Sequence, residues 1–233
     1  MYLGGKSKIA KRLTAAILAH TPKRFRLVEP FMGGGSMTAA LAPHFTVVEA
    51  SDIQPDLILM WQALAKGWIP PDTITEQQYK ELRNSPPSAL RGFAGFGSSW
   101  AGKFFGGYAR ARKPVRNFTD ESARSLQRYV EEMPNCVFCL CDYSRLAVDP
   151  FSVVYADPPY SDTEGYTHSF DGQKFWDTAR AWARTGASVL VSEYKAPADW
   201  REIWSLTRTR DLKSKRTNAV QVTEKLFVWS GAK

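Results

Sequence analysis

A parallel α/β fold interrupted by an inserted segment is what this 233-residue sequence predicts. Three observations carry that reading. The first 66 residues read strand, helix, strand, helix. Apolar, β-forming runs resume at 136–141, 151–156 and 187–192, with a helical pattern between the last two. Between these halves, residues 67–133 hold no strong strand and are rich in Gly, Pro, aromatics and Arg. The chain therefore reads as one discontinuous domain, 1–61 with 134–233, that carries an inserted region at 62–133.

In chain order, Arg26 to Glu29 is a short strand and Pro30 to Gly35 a glycine turn. Ser36 is placed to cap a helix from Met37 to about Leu41. Phe45 to Ala50 is the second strand, ending at Ser51 and Asp52. Pro55 to Lys66 has helical spacing through Leu57, Met60, Trp61 and Leu64. In the insert, Phe93 to Tyr108 mixes aromatics with glycines. Asp120 to Glu132 reads as a helix capped by Thr119, with Ala123, Leu126, Tyr129 and Val130 along one side. Strands follow at Cys136–Cys141, Phe151–Ala156 and Ala187–Ser192. Phe175, Ala179 and Trp182 mark a helix between the last two, and Lys225–Trp229 is a closing strand.

A hydrophobic content of 44% with 23% charged residues is globular. No apolar run approaches the ~20 residues of a membrane helix. No apolar block follows the charges of Met1 to Lys8, so no signal peptide is read there and a cytoplasmic location, bacterial or phage-encoded, is expected. The net charge of +8 is localised. Arg91, Lys103, Arg110, Arg112, Lys113, Arg116, Arg124 and Arg128 stand against only Asp120 and Glu121. Arg208, Arg210, Lys213, Lys215 and Arg216 stand against only Asp211. Two basic segments on a near-neutral body fit a polyanionic partner; two solvated loops are the plainer account. Cys136, Cys139 and Cys141 alternate with Val137, Phe138 and Leu140, which reads as a strand with small buried thiols. A zinc site would need a fourth ligand, and His168 is not spaced for one, so no metal is expected.

Two stretches carry chemistry. Asp157, Pro158, Pro159 and Tyr160 follow the buried-strand pattern of 151–156. A carboxylate thus emerges at a strand's carboxyl end, with prolines stiffening the turn and an aromatic beside it. Those parts suit a flat ring bearing an amino group. The turn from Val28 to Ser36 lets backbone approach a ligand closely. It has neither the Gly-x-Gly-x-x-Gly spacing of dinucleotide sites nor the Gly-Lys-Ser/Thr of a phosphate loop. Asp52, ending the next strand, sits where an acid commonly binds ribose hydroxyls. A nucleoside cofactor without a pyrophosphate fits these parts.

Taken together, these blocks resemble the Dam-like (alpha-group) adenine-N6 DNA methyltransferases, which use S-adenosylmethionine. Tyr2 to Lys6 is similar to the family's aromatic-x-Gly-Gly-Lys block, Val28 to Ser36 to its cofactor turn, and Asp157 to Tyr160 to its catalytic tetrapeptide, all in the family's order. Fainter echoes are Ser51–Ile53, Cys141–Tyr143, Val191–Tyr194 and Glu224–Val228. The insert does not match the family's recognition region, so no GATC target follows. The resemblance implies a Rossmann-like methyltransferase fold with a mostly helical DNA-recognition insert. It implies Tyr2, Lys6, Phe31, Gly33, Gly35, Asp52, Ile53, Asp142, Tyr143 and Asp157 at the cofactor, and Asp157, Pro158 and Tyr160 in catalysis. For Asp142 and Tyr143 an ordinary strand end is the alternative.

On that basis the expected activity is methyl transfer to the N6 amine of adenine in duplex DNA. The amine's lone pair is delocalised into the ring. Acceptors at Asp157 and the Pro158 carbonyl would favour a pyramidal nitrogen, and Tyr160 would stack on the base. The atom is unreachable inside a duplex, so base flipping is expected. Tyr166 and Phe170 are candidates to line the base pocket or, equally, to anchor their loop; His168 reads as a loop residue. Lys103, Arg110, Arg112, Lys113 and Arg116 form one expected phosphate clamp, and Arg208, Arg210, Lys213, Lys215 and Arg216 a second. Transfer to cytosine N4, RNA or protein amide, a silent DNA-binding protein, and a nicotinamide oxidoreductase are the rival readings.

Overall fold

The computed structural model describes residues 5–110, 117–159, 170–211 and 219–231. Seven strands form one sheet: β1 Arg26–Glu29, β2 Val47–Asp52, β3 Cys136–Leu140, β4 Ser152–Ala156, β5 Ser188–Glu193, β6 Trp200–Asp211 and β7 Ala219–Trp229. Their order is β3-β2-β1-β4-β5-β7-β6, parallel through β5, with β7 antiparallel to both neighbours. The helices are α1 Ala10–His20, α2 Ser36–Leu41, α3 Pro55–Ala65, α4 Glu76–Arg83, α5 Ala89–Gly97, α6 Phe118–Glu131 and α7 Gly172–Arg184. This is the Rossmann-like, doubly wound arrangement, with helices on both faces of a mostly parallel sheet.

Strand β4 is buried at every position, as its unbroken apolar run requires of a central parallel strand. Each face has its own core. Leu13 and Ile17 of α1, Trp61 of α3 and Phe93 of α5 pack on Leu27 and Tyr155. On the other face Phe175, Ala179 and Trp182 of α7 cover Val28, Val154 and Val191. The 3.6-residue spacing of these apolar side chains fixes which side of each helix meets the sheet.

The structure corrects several local expectations. Ser36 is the first residue of α2, not its cap; Gly35, in the left-handed region at φ 70°, occupies that position and no side chain caps it. Asn117 caps α6, its Oδ1 accepting from the Thr119 and Asp120 N–H groups. Thr119 is inside the helix, its hydroxyl 2.9 Å from that of Ser98. Helix α1, with Ala10, Leu13, Thr14 and Ile17 buried, was not anticipated, nor were α4, α5 and β6. The three cysteines are half-buried rather than buried, because β3 lies at the sheet edge.

Between β2 and β3 the chain leaves the sheet through α3 and returns through α6, with α4, α5 and a short 3-10 turn at Trp100–Gly102 between. Helix α5 locks onto α3. Asp56, 1% exposed, accepts from the Ser88 N–H at 3.0 Å and pairs with the Arg91 guanidinium. Gly92 lies against the Asp56 backbone so closely that any Cβ would overlap its carbonyl oxygen. Gly92→Ala should therefore cost about 1–3 kcal/mol or more, read as a lowered denaturant midpoint at unchanged slope.

Candidate active site

Parallel register decides what meets at the sheet's carboxyl edge. Strand β1 lies between β2 and β4, with Glu29 opposite Ala50 and Val28 opposite Val154. The glycine turn after Glu29 and the Asp157 turn after Ala156 therefore leave adjacent strands, about 4.8 Å apart, from the same edge. Sheet order reverses direction at this point, where ligands of open α/β sheets bind.

The glycine turn is built from backbone and one indole. Gly33 has φ 47° and Gly35 φ 70°, both left-handed. The Met32 N–H donates to the Ser51 carbonyl at 2.9 Å, and the Trp61 Nε1–H to the Gly33 carbonyl at 3.3 Å. A Cβ on Gly35 would lie 2.5 Å from the Trp61 ring. Asp52 faces this turn. Its Oδ2 accepts from the Gly33 N–H at 3.1 Å and its Oδ1 from the Gln54 N–H at 3.0 Å. Burial pushes the Asp52 carboxyl up, and the N–H groups of Gln54, Gly33 and Ile53 pull against that.

Asp157, its side chain 19% exposed, is held by Lys6, whose Nζ lies 3.1 Å from Asp157 Oδ1 and donates to Glu224 Oε2 at 3.0 Å. The Lys6 side chain is 2% exposed. Burial alone would lower its pKa, but the two carboxylates outweigh burial and raise it. Glu224 Oε1 accepts from Arg208 Nη2 at 2.8 Å. Sequence resemblance put Lys6 at the cofactor; the structure also binds it to the proposed catalytic acid.

Glu29 is the group sequence reasoning passed over. It is 2% exposed, and its Oε2 has no hydrogen-bond partner. Burial pushes its carboxyl up to about 8. The charges of Asp157 and Asp52 add to that, and the nearby Thr38 hydroxyl opposes it. A carboxylate closing a short strand beside the glycine turn was the available signal.

Aromatics gather beside the turn. Phe31 lies 5.3 Å from Tyr143 and 6.0 Å from Phe170 between ring centroids, and all three contact Phe175. Phe170, expected at the base pocket, thus packs with the rings expected at the cofactor. Ile53 is 53% exposed. Asp142 accepts from the Ser144 N–H and hydroxyl, and the hydroxyl contact leads in lowering its pKa. Pro158 is buried behind Asp157. Tyr2, Tyr160 and Tyr166 lie outside the described residues.

Of the expected phosphate contacts, Lys103 is exposed, and Arg110 is exposed but bonded to Glu76 at 2.6 and 3.1 Å. Arg208 is paired with Glu224. Strand β6 carries Arg208 and Arg210 beyond the end of β5. The β6–β7 hairpin continues from the Leu206–Glu224 pair to the Asp211–Ala219 pair, roughly 15–20 Å past the carboxyl edge. Arg112, Lys113, Arg116, Lys213, Lys215 and Arg216 lie outside the described residues. Trp100, 60% exposed, was missed. It starts the 3-10 turn in which Ala101 holds φ 55°, and Phe105 just beyond holds φ 47°. The segment is pinned by Trp100 N–H to Gly107 carbonyl at 2.8 Å and Phe105 N–H to Gly95 carbonyl at 2.9 Å. Among the described residues no cluster of three or more His, Cys, Asp or Glu could hold a metal, and burial pushes the Cys136 thiol up to about 12. No helix among them is long and apolar enough to cross a membrane.

These residues can be set beside known proteins. The family described as D12 class N6 adenine-specific DNA methyltransferase matches residues 2–90. Two proteins named DNA adenine methylase, from the Classical Ogawa and El Tor strains of Vibrio cholerae serotype O1, are 28% identical over 229 residues, covering 83% of this chain and 79% of theirs. A looser likeness joins the chain to a solved magnesium protoporphyrin IX methyltransferase from Synechocystis with bound SAM. It is 11% identical, covers 96% of this chain and 79% of that one, and has a TM-score of 0.43, too low to bear on the site.

Glu29 gives the site a pH signature. Its folded pKa of about 8 exceeds the 4.5 of an ordinary glutamate, so the folded state binds more protons than the unfolded one between those values. Stability contributed at low pH is therefore lost as pH rises through that window. Glu29→Gln should match the parent near pH 4.5 and exceed it by on the order of 3 kcal/mol at pH 8, in denaturant midpoints measured across pH.

Proposed function

We propose that this chain, which resembles the D12 class N6 adenine-specific DNA methyltransferases over residues 2–90 and proteins named DNA adenine methylase at 28% identity, methylates adenine N6 at specific sites in double-stranded DNA, with S-adenosylmethionine as donor and the adenine flipped out of the helix. One observation carries the reading: the glycine turn and Asp157 leave neighbouring strands of one edge, within a row of acids formed by Asp52, Glu29 and Asp157.

The residues present fit that donor. Asp52 keeps the glycine-turn end of this edge acidic, which disfavours a pyrophosphate and suits a ligand carrying sulfonium and ammonium charges. Phe31, Gly33, Gly35, Asp52, Ile53, Asp142 and Tyr143 would hold the nucleoside, and Tyr2, Lys6 and Asp157 its remaining end. Asp52 offers hydroxyl acceptors, and the exposed Ile53 an apolar face. When bound, S-adenosylmethionine supplies a methyl group activated by its sulfonium.

The chain's own residues then orient the amine. Asp157 and the Pro158 carbonyl each accept one N6–H, turning the nitrogen lone pair out of the ring plane, while Tyr160 stacks on the base. The Lys6 ammonium, 3.1 Å from Asp157 Oδ1, holds that carboxyl in place as an acceptor. The amine proton becomes acidic only as the N–C bond forms, so a weak base suffices. Residues 62–133 serve as the recognition insert. Within it the rigidly held Trp100 can stack in the gap left by the flipped base. Lys103, Arg110, Arg112, Lys113 and Arg116 meet phosphates on one flank. Arg208, Arg210, Lys213, Lys215 and Arg216 meet them on the other, and Phe170 and Tyr166 border the base pocket.

Two measurements test this. Asp157→Ala should slow tritiated methyl transfer to DNA at least ~100-fold; undiminished transfer refutes the assignment. Affinity for duplex DNA should fall with salt at a double-logarithmic slope of about −0.9 per phosphate contact, summing to several; a flat response rules out the clamps.

A further inference from the structure

Beneath the carboxyl edge, on the α1 face of the sheet, lies a charged network that the mechanism above uses only in part. Lys6 has two carboxylate partners of almost equal distance, Asp157 at 3.1 Å and Glu224 at 3.0 Å. Glu224, its side chain 6% exposed, is held at both oxygens, Oε2 by Lys6 and Oε1 by Arg208. Glu224 sits on β7 just beyond Lys225, which pairs with Glu193 at the end of β5. It therefore stands on the same edge as Asp157, fixed by the sheet rather than by a loop.

We propose that Glu224 is a positioning residue for Asp157, acting through Lys6; this rests on the reading of Asp157 as the acceptor for the adenine amine. An ammonium with Asp157 as its single partner would close tightly on that carboxylate and draw off the lone pairs the amine needs. A second anion, itself held at its other oxygen by Arg208, divides that attraction and sets where the Nζ stands. Asp157 then keeps a defined orientation and enough acceptor strength for the amine. The charges around it match this role: Lys6 and Arg208 balance Asp157 and Glu224, and Glu29, raised by burial, adds no charge at neutral pH. Stability alone is a poor reason for such a network, since buried ion pairs often stabilise less than apolar side chains of the same volume.

The test uses the full chain and single-turnover methyl transfer at saturating S-adenosylmethionine and duplex DNA. Glu224→Gln keeps shape and acceptors but removes the charge. It should lower the single-turnover rate about 10-fold or more, with calorimetric affinities for both ligands within about threefold. Lys6→Met should also slow the step, and adding Glu224→Gln to it should cost no more than about twofold, because the path to Asp157 is already gone. Glu224→Asp, which retains the charge, should recover part of the rate. An unchanged rate in Glu224→Gln, a loss confined to KM, or the same fold-loss with and without Lys6 overturns the proposal. If Glu224→Gln does not fold, Glu224→Asp is compared in both backgrounds by the same criterion. A parent protein that transfers no methyl group to DNA would instead refute the proposed function, a separate failure.

Discussion

Parallel pairing of β1 with both β2 and β4 is the constraint on which the site depends. Each parallel strand delivers its following turn to the same edge, so residues 33–35, 52 and 157 meet there although more than a hundred positions separate the first from the last. The topology then needs only small local devices to finish the site: two left-handed glycines, an indole beneath them and a proline pair behind the acid. Register matters because a one-residue slip in β4 would turn Asp157 to the α7 face, away from Lys6.

The same edge concentrates negative charge, and the protein handles each acid differently. Asp52 is stabilised by backbone N–H groups, Asp157 by a buried ammonium, and Glu29 by staying protonated. Environment rather than residue type sets these three behaviours. The outcome is an edge whose acids are mostly offset, with Asp52 left to face the glycine turn.

Much of this was legible in the sequence. Buried parallel strands announce themselves as unbroken apolar runs, so β1, β4 and β5 were read within a residue or two. The glycine turn and the Asp157 tetrapeptide were legible because each needs residue types that few other structures require. What stayed hidden depends on distance along the chain. Strand β6 alternates Arg201, Glu202, Ser205, Thr207 and Arg208 with few apolar side chains, because it is an edge strand that runs beyond the sheet core. Helix α1 carries its apolar positions beside Lys11, Arg12 and His20, and was not read as a helix. The caps of α2 and α6 were misassigned by one or two residues, since Ser36 and Thr119 have capping chemistry but backbone geometry favoured Gly35 and Asn117. The pairing of Lys6 with Glu224 has no local signature at all.

That pairing joins residues 218 positions apart. A growing polypeptide on the ribosome could form the glycine turn and the first two strands early, yet Lys6 would lack one of its two anions until β7 had been made and laid into the sheet. Prematurely terminated products missing β7 would therefore leave the Lys6 ammonium with Asp157 but without Glu224. The surroundings of Asp157 are thus completed only when the last strand joins the sheet, so this corner of the molecule is built by residues from both ends of the sequence.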